Sequence, residues 1–564
     1  MHHLNLSRAR CLLLAFAFAS SAALAGSPKL SKEFDTLDDT KPIDVIIQYK
    51  ASPSSKDISK AKAAGASYKK KLGTIKGAVY SIAPGQLKKL VDAPEIAYAS
   101  PDRRVNGALD YATPTVGADL ALAGGFDGTD ITVAVIDSGI NNTGDLKNGT
   151  KARILYNESF VPGDTSVADA HGHGTHVAGI VAGNGVASGC GPCFVTIRGI
   201  APQAAIVNLK VLDKNGNGAD SAVISAIEKA ISLKSQYNIR VINLSLGRPV
   251  MESYKTDPLC EAVEAAWNAG IVVVVAAGNN GRDNSQGTSG YATIGSPANH
   301  PYVITVGAVK TSGTATRADD LIASYSSKGP TLLDRVVKPD LVAPGNRIIS
   351  VLASTSSTLY SQYPDNQVAQ PYYRVGPTGT SSAYYRLSGT SMAAPMVSGA
   401  AALLLQKNPS LTPDQVKARL MKNAFKSFPS SSTAIDPVTG QSFTSQYDIF
   451  TIGAGELDVA AALSDNTPVS GTARSPRAVY DSRNKTVSLV FDTGVVWGTG
   501  VVWGTSLVWG TGVVWGTSLV WGTGVVWGTG GSTSGTDVVW GTDIVWGAGQ
   551  SSAESAKIAI YGEN

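Results

Sequence analysis

The pattern of apolar and polar positions changes character twice along the chain. Between residues 42 and about 106, short apolar runs at 45–49, 78–82 and 96–99 alternate with basic, helix-like stretches at 58–71 and 86–91. That rhythm predicts a small α+β unit of ferredoxin-like, βαββαβ type. A polar junction follows at 100–115. Beyond it, strand-like runs at 131–136, 205–211, 241–244, 271–276 and 303–306 are separated by amphipathic stretches; within 221–233, Val223, Ile224, Ile227 and Ile231 share one helical face. Strands alternating with helices predict an α/β fold, a mostly parallel sheet with helices on both faces, which binds ligands beyond the carboxyl ends of its strands.

After Asp465 the pattern breaks. All but one of the nine tryptophans lie from Trp497 onward, and Trp497, Trp503, Trp509, Trp515, Trp521 and Trp527 recur at every sixth residue in units such as V-V-W-G-T-G. Trp540 and Trp546 repeat the step after a Gly/Ser interruption. Val-Val-Trp favours extended chain and Gly-Thr a turn or bulge, and an even period keeps the indoles on one face of an uninterrupted strand. The array predicts a β-rich or irregular repeat tail. A stalk is its plainer role; retention at a cell surface or binding of another partner is the sharper one. Only the aromatic content speaks for carbohydrate.

With 564 residues, 43% hydrophobic and 16% charged, the chain is neither disordered nor one small domain. Forty-seven basic against 43 acidic residues leave +4, which supplies no general attraction to nucleic acid or to an anionic membrane. Arg8 and Arg10, an apolar run at 12–18 and Ala23-Leu24-Ala25 form a secretory signal pattern over 1–25, with cleavage expected near Gly26. The run is shorter than the roughly 20 residues a membrane span requires, so the expectation is an extracellular or cell-surface protein without a transmembrane segment. Cys11 leaves with the signal. Cys190, Cys193 and Cys260 remain, an odd set that predicts one bridge and one spare thiol, with the pairing open.

Three segments of the α/β region carry chemistry. The apolar run 132–136 ends in Asp137-Ser138-Gly139, which puts a carboxylate at the end of a strand. His173-Gly174-Thr175-His176-Val177-Ala178-Gly179 opens a helix with a titratable ring at its start. Ser388-Gly389-Thr390-Ser391-Met392-Ala393-Ala394-Pro395 precedes an Ala/Leu-rich helix, so a serine lies at the positive end of a helix dipole. Alone, the aspartate reads as a turn former and the serine as an N-cap. Together, in this order and with these neighbours, they resemble the subtilases, the subtilisin-like serine peptidases, over roughly residues 112–465.

The resemblance implies Ser391 as nucleophile, His173 as general base and then acid, and Asp137 as the group that orients and supports His173. It makes Asn279, in Ala276-Ala277-Gly278-Asn279, the side-chain donor of an oxyanion hole. Ser245-Leu246-Gly247 resembles the strand that pairs with an extended substrate; with Ala276, Ala277 and Gly278 it walls the specificity pocket, and Gly295 aligns with the floor. A glycine floor without charge implies large hydrophobic or aromatic residues at the cleaved position, with broad tolerance elsewhere. The upstream unit resembles the family's propeptide, a folding assistant and temporary intramolecular inhibitor that the enzyme cuts off within 100–115. The expected division is signal 1–25, propeptide 26–111 with its domain at about 42–106, peptidase 112–465 closing after Gly453-Ala454-Gly455-Glu456-Leu457-Asp458-Val459, and linker plus repeats 466–564.

The substrates implied are proteins and peptides, and no cofactor is required for catalysis. Structural calcium is an expectation of the resemblance without an assignable ligand set; Asn184 is the one candidate. Residues 351–387, rich in tyrosine, form an insertion that reads either as a lid or as a packed surface excursion. Two rival classes remain. Cys190-Gly191-Pro192-Cys193 matches a thiol–disulfide oxidoreductase motif but follows a glycine-rich loop rather than opening a helix. The other is a catalytically inactive scaffold displaying the repeats. His171, His173 and His176 lack the H-E-x-x-H pattern of a zinc site.

Overall fold

A computed structural model describes residues 27–31, 34, 38–73, 75–101, 111–285, 287–375, 379–436, 440–469, 471–481 and 486–490, the backbone of four short segments between 507 and 527, and Glu563. Residues 1–25, where a signal segment is expected, and most of the repeats lie outside these residues, as do 102–110 of the junction. The chain divides into two compact units, residues 1–105 and 106–564.

The first unit runs β1 (Ile43–Tyr49), α1 (Ser55–Ala63), β2 (Ser67–Leu72), β3 (Gly77–Ile82), α2 (Pro84–Leu90) and β4 (Ile96–Pro101). The strands form an antiparallel sheet in the order β2-β3-β1-β4, the expected βαββαβ arrangement. One element differs from the pattern-based expectation. The stretch 58–71 is not one helix: α1 is started by a capping box between Ser54 and Asp57 and is followed by Gly65, which takes φ 91°. The lysine-rich residues after it are edge strand β2, whose exposed lysines guard an open edge, so their pattern hides the strand. Phe34, Val45, Ile47, Tyr80, Leu87 and Ile96 fill the core.

The second unit is built on an eight-stranded sheet. Its strands are β5 (Thr132–Asp137), β6 (Ile154–Ser159), β7 (Ala205–Lys210), β8 (Ile239–Leu244), β9 (Val272–Ala276), β10 (Ile304–Lys310), β11 (Leu321–Ile322) and β12 (Leu341–Pro344). They lie in the order β11-β10-β9-β8-β5-β7-β6, with β12 also beside β10, and every pair is parallel except β10–β11. Strand β5 is buried along its whole length, which explains the unbroken Val/Ile run: both faces are covered. Its neighbours are the later strands β7 on one side and β8 on the other, so the carboxyl end of β5 sits where the strand order reverses. That is the crevice such sheets use for ligands.

The covering helices include α3 (His173–Ala182), α4 (Asp220–Tyr237), α5 (Pro258–Asn268), α6 (Thr390–Lys407) and α7 (Pro413–Asn423). Helix α6 is buried on nearly every side, and its small residues make that possible. A Cβ on Gly399 would stand 2.5 Å from Cβ of Ile200, so only glycine lets the backbone approach.

The insertion is packed rather than free. Strands β13 (Ile348–Val351), β14 (Gln367–Ala369) and β15 (Thr380–Leu387) form an antiparallel sheet in the order β13-β15-β14, with Tyr373, Tyr384 and Tyr385 buried. It also braces the turn before α3: Thr358 N–H donates to Ala170 C=O at 2.9 Å and Leu359 N–H to His171 C=O at 3.0 Å.

Packing continues beyond residue 465. Ala473 and Ala478 join the main core, Val337 N–H donates to Pro476 C=O at 2.8 Å, and Ser475 bonds the buried Lys417 at 2.9 Å. Lys338, Asp340 and Lys417 are fully buried together, and their polar ends require such partners. A boundary drawn from the change in composition cannot register that need. In the tail, Leu507–Val508, Val514–Trp515, Leu519–Trp521 and Val525–Trp527 pair antiparallel in sequence order. Successive described segments therefore run in opposite directions, and their even period does not run along one uninterrupted strand.

Candidate active site

Asp137 closes β5 at the switch point with its carboxylate buried. Its Oδ1 accepts hydrogen bonds from Ser138 N–H at 2.7 Å and from His173 Nδ1 at 2.8 Å. Glycines let helix α3 come this close: Gly172 holds φ 106°, and a Cβ on Gly174 would lie 2.3 Å from Gly139 O. Burial alone would push the His173 pKa down, but the charge of Asp137 and its hydrogen bond overturn that effect and hold it above the ordinary value of 6.5.

A supporting layer was not read from the sequence. Ser138 Oγ donates to Asp169 Oδ1 at 2.9 Å and accepts Gly174 N–H at 2.9 Å; Asp169 also takes the N–H groups of Gly172 at 2.7 Å and Thr175 at 2.8 Å. This buried carboxylate ties the Asp137 turn to the first turn of α3. The only signal was polar residues inside two glycine-rich turns. His176 donates from Nε2 to Ile348 C=O and Tyr385 C=O, each at 3.1 Å, a structural role. The ring of His171 lies 6.2 Å from that of His173, and burial pushes its pKa down to about 4.

Ser391 stands in the first turn of α6, and its hydroxyl donates to Ser245 C=O at 3.2 Å. Pro395 has no N–H for the Ser391 carbonyl, as a helical residue four places on would have. The Ser245 hydroxyl takes that carbonyl instead, at 2.8 Å, and itself accepts from Asn243 Nδ2 at 3.0 Å. The segments that carry Ser391 and Ser245 are thus joined through a proline-made vacancy in the helix ladder.

Asn279 follows β9. Its Oδ1 accepts Thr390 N–H at 2.9 Å and the Thr390 hydroxyl at 3.1 Å, and Thr390 Oγ1 accepts Gly278 N–H at 3.1 Å. A Cβ on Gly389 would lie 3.1 Å from Asn279 Nδ2, so the amide nitrogen lies against the turn that carries Ser391. The residues expected to form the pocket lie together: Gly295 N–H donates to Ala277 C=O at 3.2 Å, while Arg248 and Ser296 exchange backbone hydrogen bonds of 3.0 and 2.8 Å just after Gly247. Side chains are excluded at both glycines, since a Cβ on Gly247 would stand 3.0 Å from Ser296 O and one on Gly295 2.9 Å from Arg248 O.

Cys190 and Cys193 are bridged, with Cα atoms 5.0 Å apart, and Cys260 is a buried free thiol whose pKa burial raises. The bridge closes a turn without a following helix. It pins the insertion, with Val375 N–H donating to Pro192 C=O at 2.9 Å, so a redox role has no structural support. Asn184 donates from Nδ2 to Lys147 C=O at 2.6 Å and accepts Val186 N–H on Oδ1 at 3.1 Å. Among the described residues no group of three or more His, Cys, Asp or Glu is placed to hold a metal, and no helix is long and apolar enough to cross a membrane.

Residues 128–461, more than half of the chain, match the Subtilase family. The serine protease AprX of Bacillus subtilis (strain 168) is 41% identical over 333 residues, which cover 57% of this chain and 67% of AprX. Subtilisin DY of Bacillus licheniformis is 36% identical over 63% of this chain and 98% of its own length, and subtilisin E of Bacillus subtilis (strain 168) is 33% identical over 75% and 93%. The chain belongs to the subtilase family and is a serine-type endopeptidase.

Proposed function

We propose that this is an exported, self-processing endopeptidase in which Ser391 attacks the substrate carbonyl, His173 accepts the serine proton and passes it to the leaving amine, and Asp137 orients His173 and supports the imidazolium. Water then hydrolyses the acyl-enzyme by the same route. The observation that carries this reading is the 2.8 Å bond between His173 Nδ1 and the buried Asp137 carboxylate. It commits the Nδ1 proton to Asp137 and leaves the lone pair on Nε2 to act as base. The 3.2 Å contact of Ser391 with Ser245 C=O is one that a turn of the hydroxyl gives up when substrate binds.

Asn279 Nδ2 and the Ser391 backbone N–H would hold the oxyanion. Binding of Oδ1 by Thr390 sets which way the amide faces, and the Ser391 N–H is one of the donors a helix start leaves without an intrahelical acceptor. Backbone of 245–247 and 276–278 walls an uncharged pocket with Gly295 at its floor, which favours a large hydrophobic or aromatic side chain. The first unit acts as propeptide, with cleavage within 100–115. In support, the first unit is a separate compact unit with the βαββαβ arrangement expected of it.

The test is Asn279→Ala assayed on two peptides that differ only in phenylalanine or aspartate at the cleaved position. Wild type should prefer phenylalanine. The variant should lose about 100- to 1000-fold in kcat on the better peptide with KM little changed, because the donor acts on charge that develops only in the transition state. Unchanged kcat would remove Asn279 from the site, and equal cleavage of both peptides would remove the apolar pocket.

A further inference from the structure

Glu563 lies beyond the repeat array in sequence, yet it is buried in the second unit. Its carboxylate Oε1 accepts from Arg282 Nη2 at 2.7 Å, from Ser324 N–H at 2.9 Å and from the Ser324 hydroxyl; Oε2 faces Lys310 Nζ at 3.8 Å. Asn346 reads the backbone of the same residue: its Nδ2 donates to Glu563 C=O and its Oδ1 accepts Glu563 N–H, both at 2.8 Å. The seat itself is ordered by its own contacts. Arg282 is nearly fully buried and donates from Nε to Ser324 Oγ at 2.6 Å and from Nη1 to Asp436 at 2.9 Å, with its guanidinium 4.6 Å from the Phe443 ring centroid.

We infer that Arg282, Ser324, Asn346 and Lys310 form a binding site for an acidic residue in cis, and that Glu563 of this chain is its ligand. Two features separate such a seat from a surface ion pair. Both the side chain and the backbone of one residue are recognised, which fixes position as well as charge. The site is also withdrawn from water, so leaving it vacant would take from the buried Arg282 guanidinium one of its two carboxylate partners, Asp436 being the other. The consequence concerns the two ends of the tail: the strand Thr486–Val490, which precedes the tryptophan repeats in sequence, has Val487 and Leu489 packed on the main core, and Glu563, which follows the repeats, is tied to the same unit.

The seat also borders the nucleophile turn. Asn346 belongs to the 345–347 turn, in which Gly345 C=O accepts Gly389 N–H and Arg347 N–H donates to Ser388 Oγ, each at 2.8 Å; Arg282 lies three residues after Asn279. Occupancy by Glu563 therefore ties the far side of the tail to the two segments that flank Ser391.

The test uses the full chain carrying Ser391→Ala, so no self-cleavage intervenes and the outcome does not depend on the peptidase reading. A recognition site for an added protease is placed in the Gly/Ser stretch 530–535, the chain is nicked, and release of the distal fragment on dilution is followed by size-exclusion chromatography and mass spectrometry. The parent should hold the fragment, and Glu563→Ala and Asn346→Ala should each release it at least tenfold faster, while far-ultraviolet circular dichroism shows the body still folded. Equal release rates in parent and Glu563→Ala, whether all retained or all lost, would overturn the inference. A Glu563→Ala chain that does not fold leaves Asn346→Ala, read in the same way, to decide.

Discussion

Ser391→Ala, expressed as the full precursor, should keep residues 26–111 where wild type sheds them, and should lower kcat/KM on a phenylalanine-site peptide roughly 10⁶-fold. The size follows from what is lost. Without the hydroxyl there is no acyl-enzyme, and only binding and the oxyanion donors remain to act on a direct attack by water, a contribution of about 10³- to 10⁴-fold over the uncatalysed reaction. Intact-mass measurement reports the maturation, and the new N-terminus of wild type gives the processing bond. A variant that matures in isolation at the wild-type rate would show that another nucleophile, or another protease, does the cutting.

Asp137→Asn should cost about 10⁴-fold in kcat while leaving the fold intact. An asparagine amide would donate a proton to Nδ1 instead of accepting one, which drives the imidazole proton to Nε2 and removes the base. The pH dependence separates this from simple damage. The protonated ring cannot act as base, so activity rises with pH through the His173 pKa, and the acid limb of kcat/KM in wild type should have its midpoint above 6.5, the direction in which Asp137 holds that group. Without the Asp137 charge, burial is the larger influence left and it lowers the pKa, so the acid limb of the variant should move to lower pH. A limb that stays in place would mean that it does not report His173.

Much of this was legible in the sequence because the signals were local. The buried strands announce themselves as Val/Ile runs, and the glycine-rich turns around Asp137, His173 and Ser391 carry residue types that close backbone approach demands. The βαββαβ order of the first unit was equally visible, apart from strand β2, whose lysines suit an exposed edge and mimic a basic helix. What stayed hidden is contact across the chain. Asp169 beneath the Asp137–His173 pair, Thr390 fixing the Asn279 amide, and Ser245 taking the carbonyl that Pro395 leaves free pair residues whose meaning depends on folding. The same holds for the packing of 471–481 on the body and for Glu563, a lone glutamate in a polar stretch until the sheet brings Arg282, Ser324 and Asn346 around it.

The central claim is that Ser391 is a nucleophile made reactive by His173, and covalent labelling tests it most directly. The matured protein is treated with a fluorophosphonate, digested and mapped by tandem mass spectrometry, alongside a His173→Ala variant with a separately supplied cut in the junction. The account predicts one adduct, on Ser391 Oγ, with a labelling rate at least 1000-fold slower in the variant. An adduct on a different serine, or a Ser391 rate indifferent to His173, would contradict it.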